Sequence, residues 1–171
     1  DHWHTLLRSR AIENQAFVSC IRLNAVAIPN SVISIGYYGF LGCTNLNTIT
    51  VDSLNSVYGS VDGVLFNKNQ TTLHQYPQGR PGSYALPSSA ISIRENAFFG
   101  NHGLTSVTIP NSATSIGDSA FYSCTNLTGV YFQGNAPGVG SVVFNGDNNA
   151  VVYYLPGTTG WGSTFGGRPT A

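Results

Sequence analysis

The sequence predicts a β-rich solenoid: a right-handed stack of about six coils of 23 residues, built from strands and short α- or 3₁₀-turns, with one coil enlarged to 35 residues by a β-hairpin. Three observations predict it. Phe17, Phe40, Phe98, Phe121 and Phe144 recur at steps of 23, 58, 23 and 23, and the long step holds one regular and one enlarged unit. Independently, Ile28, Val51, Leu86, Ile109, Phe132 and Leu155 recur at 23, 35, 23, 23 and 23, each just before a slot that proline fills at Pro29, Pro87, Pro110 and Pro156. Finally, a unit this short cannot bury its own apolar face, so it must stack on its neighbours.

Within a unit the first element is an alternating run such as Val107-Thr108-Ile109, with side chains i and i+2 on one face. Its inward column reads Val26/Ile28, Ile49/Val51, Tyr84/Leu86, Val107/Ile109, Val130/Phe132 and Tyr153/Leu155. A second column follows from Ile12, Ile35, Ile93, Ile116 and Val139. The third combines the phenylalanines with Leu23, Leu46, Leu104 and Leu127. Segments such as Asp118–Leu127 have helical spacing but room for only one or two turns.

Taken in order, residues 1–10, with Trp3, Leu6 and Leu7, read as an N-terminal edge or cap, and residues 11–157 as the repeats. A hairpin insertion is expected near residues 59–82, with Gly63–Phe66 and Thr71–Pro77 as strands around the polar turn Asn67–Gln70, protruding from or widening one side. Residues 138–157 form an eroded last repeat in which Ala150 replaces leucine. Trp161 and Phe165, among glycines, predict that residues 158–171 cap the open end of a single domain. The chain begins part-way through a repeat and contains no Met, which suggests a mature product or a fragment.

Composition narrows the function. Seven Lys and Arg balance seven Asp and Glu, and charged residues are only 8% of the chain, against roughly 25% in an average soluble protein. Without clustered cations, neither nucleic acid nor an anionic membrane is an expected partner, and no apolar run approaches a membrane span. Cys20, Cys43 and Cys124 each sit three residues after a repeat phenylalanine. An odd number at a repeating core position favours buried thiols. A bridge between Cys20 and Cys43 on adjacent coils stays open, because coils about 5 Å apart meet the distance condition.

The phrase that carries Ile109-Pro110-Asn111-Ser112-Ala113 through Val130 resembles the BspA-like leucine-rich repeats of bacterial and protozoan surface proteins, and is repeated with substitutions from Ile28-Pro29 to Ile49 and from Leu86-Pro87 to Val107. The resemblance spans roughly residues 11–157; Val61–Phe66 and Val152–Gly157 also look like recurring variants in that family. It implies a leucine-rich-repeat fold and a secreted or cell-surface module that binds protein or polysaccharide, and it supplies no catalytic residue. No cofactor is expected.

Candidate sites are few. The outward strand position reads Ala27, Thr50, Ala85, Thr108, Tyr131 and Tyr154; two tyrosines one coil apart suit a binding face, or else a stabilising aromatic ladder. Glu95 and Asp118 stack about one strand spacing apart, which allows glycoside hydrolysis but better fits the capping of a short turn. His2 and His4 could share a metal. Asn67–Asn69 and Gly146–Asn149 resemble calcium-loop fragments, yet also ordinary turns. Nucleotide-binding and nucleophile-elbow signatures are absent. The remaining readings are a self-assembling fibre subunit, joined through solenoid ends, and a hydrolase working in the groove beside the hairpin.

Overall fold

In a computed structural model the chain is a β-solenoid of about six turns, described for residues 20–36 and 38–171. Phe17, Ile12, the His2-Trp3-His4 group and the expected N-terminal cap lie outside the described residues.

The alternating runs become the first side of the coil. β1 (Ala25–Ile28) pairs in parallel with β2 (Thr48–Val51), aligning Val26 with Ile49 and Ile28 with Val51. Further on, β6 (Gly82–Ala85), β8 (Leu104–Ile109), β10 (Gly129–Phe132) and β12 (Val151–Tyr154) form a parallel four-stranded sheet. The two sheets are not joined, because the enlarged unit stands between them.

That unit supplies three strands rather than one hairpin: β3 (Tyr58–Val61), β4 (Val64–Asn67) and β5 (Thr72–Gln75). β3 and β4 are joined by Asp62 and Gly63, both at positive φ (49° and 76°), the backbone that an Asp-Gly two-residue turn adopts. Gly63 is also pressed against Thr48, where a Cβ would lie 2.2 Å from the hydroxyl oxygen. β5 then runs parallel to β7 (Ser92–Ile93), which is followed by β9 (Ser115–Ile116) and β11 (Gly138–Val139). The insertion thus extends the second side, and Leu73 enters the column ahead of Ile93 and Ile116, whereas Val139, expected inward, keeps the register but is exposed at the end of the stack.

β4 is buried on both faces, with Val64, Leu65 and Phe66 all buried, as expected only of a strand packed from two sides. Val64 and Phe66 join the large core, whereas Leu65 joins a smaller one with Phe40, Ile49 and Tyr58. The strand is a partition, and the core is two clusters rather than one continuous tube.

The third side corrects two expectations. Phe98, Phe121 and Phe144 stack at centroid distances of 4.6 and 5.2 Å, as the period requires. Phe40 does not head that row; it belongs to the smaller core, and Tyr76 takes the place beside Phe98 at 4.9 Å. Nor are these segments helical. Among the described residues the only helix is the 3₁₀ turn Cys20–Arg22. The others contain left-handed residues that recur with the period, at Asn96, Ser119 and Val142 and again at Gly100, Ser123 and Gly146, and a left-handed residue ends a right-handed helix. Their backbone N–H groups alternate in destination. Ser119, Phe121 and Ser123 donate to Ser141, Val143 and Asn145 of the next coil, at 2.8–3.0 Å, and the coil before does the same from Asn96, Phe98 and Gly100 to Asp118, Ala120 and Tyr122. Intervening N–H groups close turns within the coil, such as Tyr122 to Ser119 and Cys124 to Phe121.

Two buried asparagines hold the bends. Asn101 donates from Nδ2 to the carbonyls of Pro77 and Arg80 and accepts at Oδ1 from the N–H groups of Gly103 and Leu104. Asn55 repeats this arrangement with Pro29, Val32, Val57 and Tyr58. Each amide thereby satisfies backbone groups that burial would otherwise leave unpaired. Asn101 occupies the slot that cysteine fills in neighbouring coils.

The cysteines divide. Cys20 and Cys43 form a disulfide with Cα atoms 4.8 Å apart, so the expectation of free thiols is wrong for this pair. Successive coils place their equivalent positions at strand spacing, and an odd count says nothing about a pair brought together by the stack. Cys124 is a buried free thiol within 3.1 Å of the Phe98 carbonyl, and burial pushes its pKa up, keeping it protonated and unreactive.

At the far end, β13 (Thr164–Phe165) and β14 (Arg168–Pro169) form a small antiparallel pair. Phe165 and Trp161 pack on Phe132, Gly166 lies against the Phe144 ring, and Thr170 bridges in parallel to Val152 on the open edge of β12.

Candidate binding face

The four-stranded sheet presents its outward side chains to solvent, and here a one-residue slip decides which tyrosines are exposed. β10 pairs with β12 so that Val130 meets Val152, Tyr131 meets Tyr153, and Phe132 meets Tyr154. The last repeat is therefore one residue shorter before its strand than the 23-residue period projects. A slip of one residue moves every side chain to the opposite face. Tyr154, expected outward, turns in and stacks on Trp161 at 4.9 Å. Tyr153 and Leu155, expected inward, are 37% and 51% exposed. Val152 is the residue that joins the buried column behind Val107 and Val130.

Tyr131 (44% exposed) and Tyr153 stack on each other with ring centroids 4.9 Å apart and planes 12° apart. The Tyr131 ring lies over Gly129, whose missing side chain leaves the space; a Cβ there would sit 2.7 Å from the ring. Thr108 is Tyr131's register partner on β8, so these two are adjacent. Thr50 is exposed on β2, in the separate two-stranded sheet, and does not join them. Its hydroxyl lies 3.4 Å from the Val26 carbonyl. Tyr153 was hidden from sequence reasoning by the period itself; the alternation of Val151-Val152-Tyr153-Tyr154 fits either register.

The other candidates resolve into structural roles. Asp118 is exposed and its Oδ1 accepts from the Ser141 N–H at 2.7 Å, tying one coil to the next. Glu95, at the equivalent position one coil earlier, lines a shallow cleft on the third side with His74 and Arg94. His74 Nδ1 is 3.1 Å from the Arg94 guanidinium; burial, then that cation, lower the His74 pKa to about 4, so the ring is neutral and accepts the bond. Asn67 accepts from the N–H groups of Thr71 and Thr72, which is turn chemistry. Among the described residues no group of three His, Cys, Asp or Glu side chains is placed to hold a metal, and no described helix is long and apolar enough to cross a membrane.

Asp147 is the unexpected polar group. It occupies the slot of Asn101 and Cys124, is fully buried, and neither carboxyl oxygen has a hydrogen-bond partner among the described residues. Burial raises its pKa to about 7, against smaller opposing contributions from the Cys124 backbone and the Arg168 cation. Arg168 itself donates to the Asp147 backbone carbonyl, anchoring the C-terminal tail.

The comparisons with known proteins agree with this architecture. The profile of the BspA type Leucine rich repeat region matches in six copies, over residues 9–75 and 82–159. None of the curated proteins compared matches the chain. Among solved structures, a leucine-rich repeat protein from Eubacterium ventriosum ATCC 27560 is 28% identical, with a TM-score of 0.70 over 79% of this chain and 37% of the other. The pneumococcal vaccine antigen PcpA shares the fold at 24% identity and TM-score 0.62, over 77% of this chain and 39% of that one. So does a leucine rich cell surface protein from Faecalibacterium prausnitzii A2-165, at 24% identity and TM-score 0.59, over 77% and 41%. The chain spans about two fifths of the length of the structures it matches. With the repeat profile covering most of its residues and the stacked coils in place, the chain belongs to the BspA-type leucine-rich repeat family.

Proposed function

We propose that this chain is a non-enzymatic binding module of a bacterial cell-surface or secreted protein, which contacts protein or polysaccharide through the open face of the four-stranded sheet. The observation that carries the reading is the Tyr131–Tyr153 stack. Two large rings stay substantially exposed on a rigid sheet although Trp161 and the tail cover the end of the core nearby. Rigid aromatics lose little conformational entropy on binding and combine apolar area with a hydroxyl, which makes them effective anchors. Thr108 extends that patch, whereas Thr50 belongs to a separate surface. Surface display is in keeping with the cell-surface description of the Faecalibacterium neighbour and with the Cys20–Cys43 disulfide, since such bonds persist outside the reducing cytosol. The near absence of charge fits a partner other than nucleic acid.

The fibre reading has less support, because Thr170 and Ala171 already engage the open edge of β12. The hydrolase reading has less support because Asp118 is held by the Ser141 N–H.

A glycan and protein array probed with the wild type and with Tyr131→Ala, Tyr153→Ala and Tyr154→Ala tests the proposal. Binding that falls about tenfold or more in the first two variants is the expected result. Binding indifferent to Tyr131 and Tyr153 removes the face from consideration.

A further inference from the structure

The slot three residues after the repeat phenylalanine holds Cys43, Asn101, Cys124 and Asp147. The first three are satisfied: Cys43 is bridged to Cys20, Asn101 makes four hydrogen bonds, and the Cys124 thiol reaches the Phe98 carbonyl. Asp147 is fully buried, and neither carboxyl oxygen is bonded to any described residue. A carboxyl group so placed is stable while it is neutral, and its ionised form demands water or a cation.

Asp147 also differs in what covers it. On the third side Ser119, Phe121 and Ser123 donate to the coil of Asp147, whereas their counterparts on that last coil, Val142, Phe144 and Gly146, donate to none of the described residues. What lies over this end is the tail. Gly166 sits against the Phe144 ring, Arg168 donates from Nη1 to the Asp147 carbonyl at 3.0 Å, and Ala171 donates its N–H to the Val152 carbonyl at 2.9 Å. Among the described residues two titratable or charged groups face the Asp147 carboxyl. One is the Cys124 thiol of the coil before, itself held protonated by burial, and the other is the Arg168 guanidinium of β14. Arg168 favours the ionised carboxyl, but burial opposes it more strongly, so the closed structure keeps the proton up to about pH 7.

We propose that the buried Asp147 carboxyl is a proton lock on the C-terminal cap: the neutral acid lets the β13–β14 hairpin and residues 170–171 close over the end of the stack, and lifting them lets water reach the carboxylate. Closing takes up one proton and opening releases it. Below pH 3.8, the ordinary value, both states are protonated and closure is tightest. Between there and about 7 the closed state alone holds the proton, so each pH unit favours opening by up to about tenfold. Above about 7 both states are ionised and opening levels at its highest. Opening uncovers the Phe132 ring and the edge of β12, so one proton decides how firmly this end of the solenoid is shut. The proposal does not depend on the strand-face reading.

Amide hydrogen exchange is followed by NMR across pH 4 to 8 on the wild type and on Asp147→Asn, with each rate corrected for that of an unstructured amide at the same pH. Thr170 and Ala171, which donate to Ser163 and Val152, report on the tail, and Phe121 reports on the middle of the stack. In the wild type, protection of the two tail amides should fall at least about tenfold between pH 5 and pH 7 and then level off. In Asp147→Asn, which has no proton to lose, it should change by less than about twofold over the same range. Adding about 1 M urea should accelerate Phe121 and leave the tail amides nearly unchanged, as a local opening requires. Should Asp147→Asn fail to fold, the wild type alone decides, through the carbon-13 shift of the Asp147 carboxyl. A midpoint near 7, with tail protection falling over the units below it, supports the lock, and a midpoint in the ordinary carboxylate range overturns it. Tail protection that ignores pH in the wild type, that follows pH equally in Asp147→Asn, or that responds to urea as Phe121 does also overturns the proposal.

Discussion

Two regions of this molecule are built from the same repeat and end in different states. From Phe98 to Phe144 successive coils coincide: rings stack, three N–H groups cross at each step, and one core runs through. From Phe40 to Tyr76 the same repeat is interrupted: β4 divides the core, N–H groups on the third side lack partners among the described residues, and a disulfide ties the last regular coil to the one before it. The contrast shows that periodicity stabilises only where neighbours keep register on all three sides. Where twelve extra residues enter one coil, two sides are rebuilt by other means and the third stays open.

The largest expected effect comes from breaking the continuous region at its centre. Phe121→Ala removes a fully buried ring stacked on both sides and should cost about 3–5 kcal/mol, read as a drop in unfolding free energy in denaturant. A loss below about 1 kcal/mol would mean that the row is not what holds the coils together. Reducing the Cys20–Cys43 bond opens a loop of 23 residues and should cost about 3 kcal/mol. That loss should fall on the interrupted region: exchange should accelerate at Leu46 and Ile49 while Phe121 and Leu127 keep their protection. Equal acceleration everywhere would show that β4 couples the two cores instead of separating them.

Asn101→Ala should destabilise by about 2–3 kcal/mol, because it strands two N–H groups and two carbonyls at the seam between the regions. Melting measured beside the volume-matched Asn101→Leu checks that the loss comes from hydrogen bonds rather than from space. Rescue by leucine would refute that account.

The smallest effect carries a sign that pH reveals. The folded pKa of Asp147 lies near 7, above its unfolded value near 3.8, so between these limits the native state holds the proton that the unfolded state releases. Stability contributed by this group is full below pH 3.8, declines as pH rises toward 7, and is level above it. Asp147→Asn, which restores the residue type of Asn101, should therefore stabilise by roughly 1–2 kcal/mol at pH 8 and by little at pH 4. Melts of both proteins across that range provide the check; a gain of the same size at both pH values would exclude ionisation as the cause.

Much of the fold is legible in the residues. Two anchors with one period imply the stack, and alternation about Val107-Thr108-Ile109 implies the first sheet. The errors have particular causes. Asp62-Gly63 is a strong hairpin signal, yet β3 was hidden by Gly59 and Ser60, which give the strand little apolar alternation. Tyr76 fills a phenylalanine slot at a spacing of 22 rather than 23 before Phe98, so a search for Phe passes it by. Helical spacing in Asp118–Leu127 was real, but left-handed residues at Ser119 and Ser123 prevent a helix, and serine does not announce that conformation as glycine does. The binding face was half legible: Tyr131 and Thr108 fall where alternation puts them, while Tyr153 and Tyr154 depend on a register that either reading satisfies.

The sequence by itself determined the period, the buried columns of the regular coils between Tyr84 and Phe132, and the low content of charged residues, because these are properties of residue spacing and type. Tertiary structure alone decided that Tyr153 rather than Tyr154 faces out, that Cys20 meets Cys43, and that β4 splits the core. Each of those outcomes is a choice between registers that differ by one residue or one coil. It is settled by which pairing buries the most side chains across separations of twenty residues and more, and spacing along the chain does not contain that comparison.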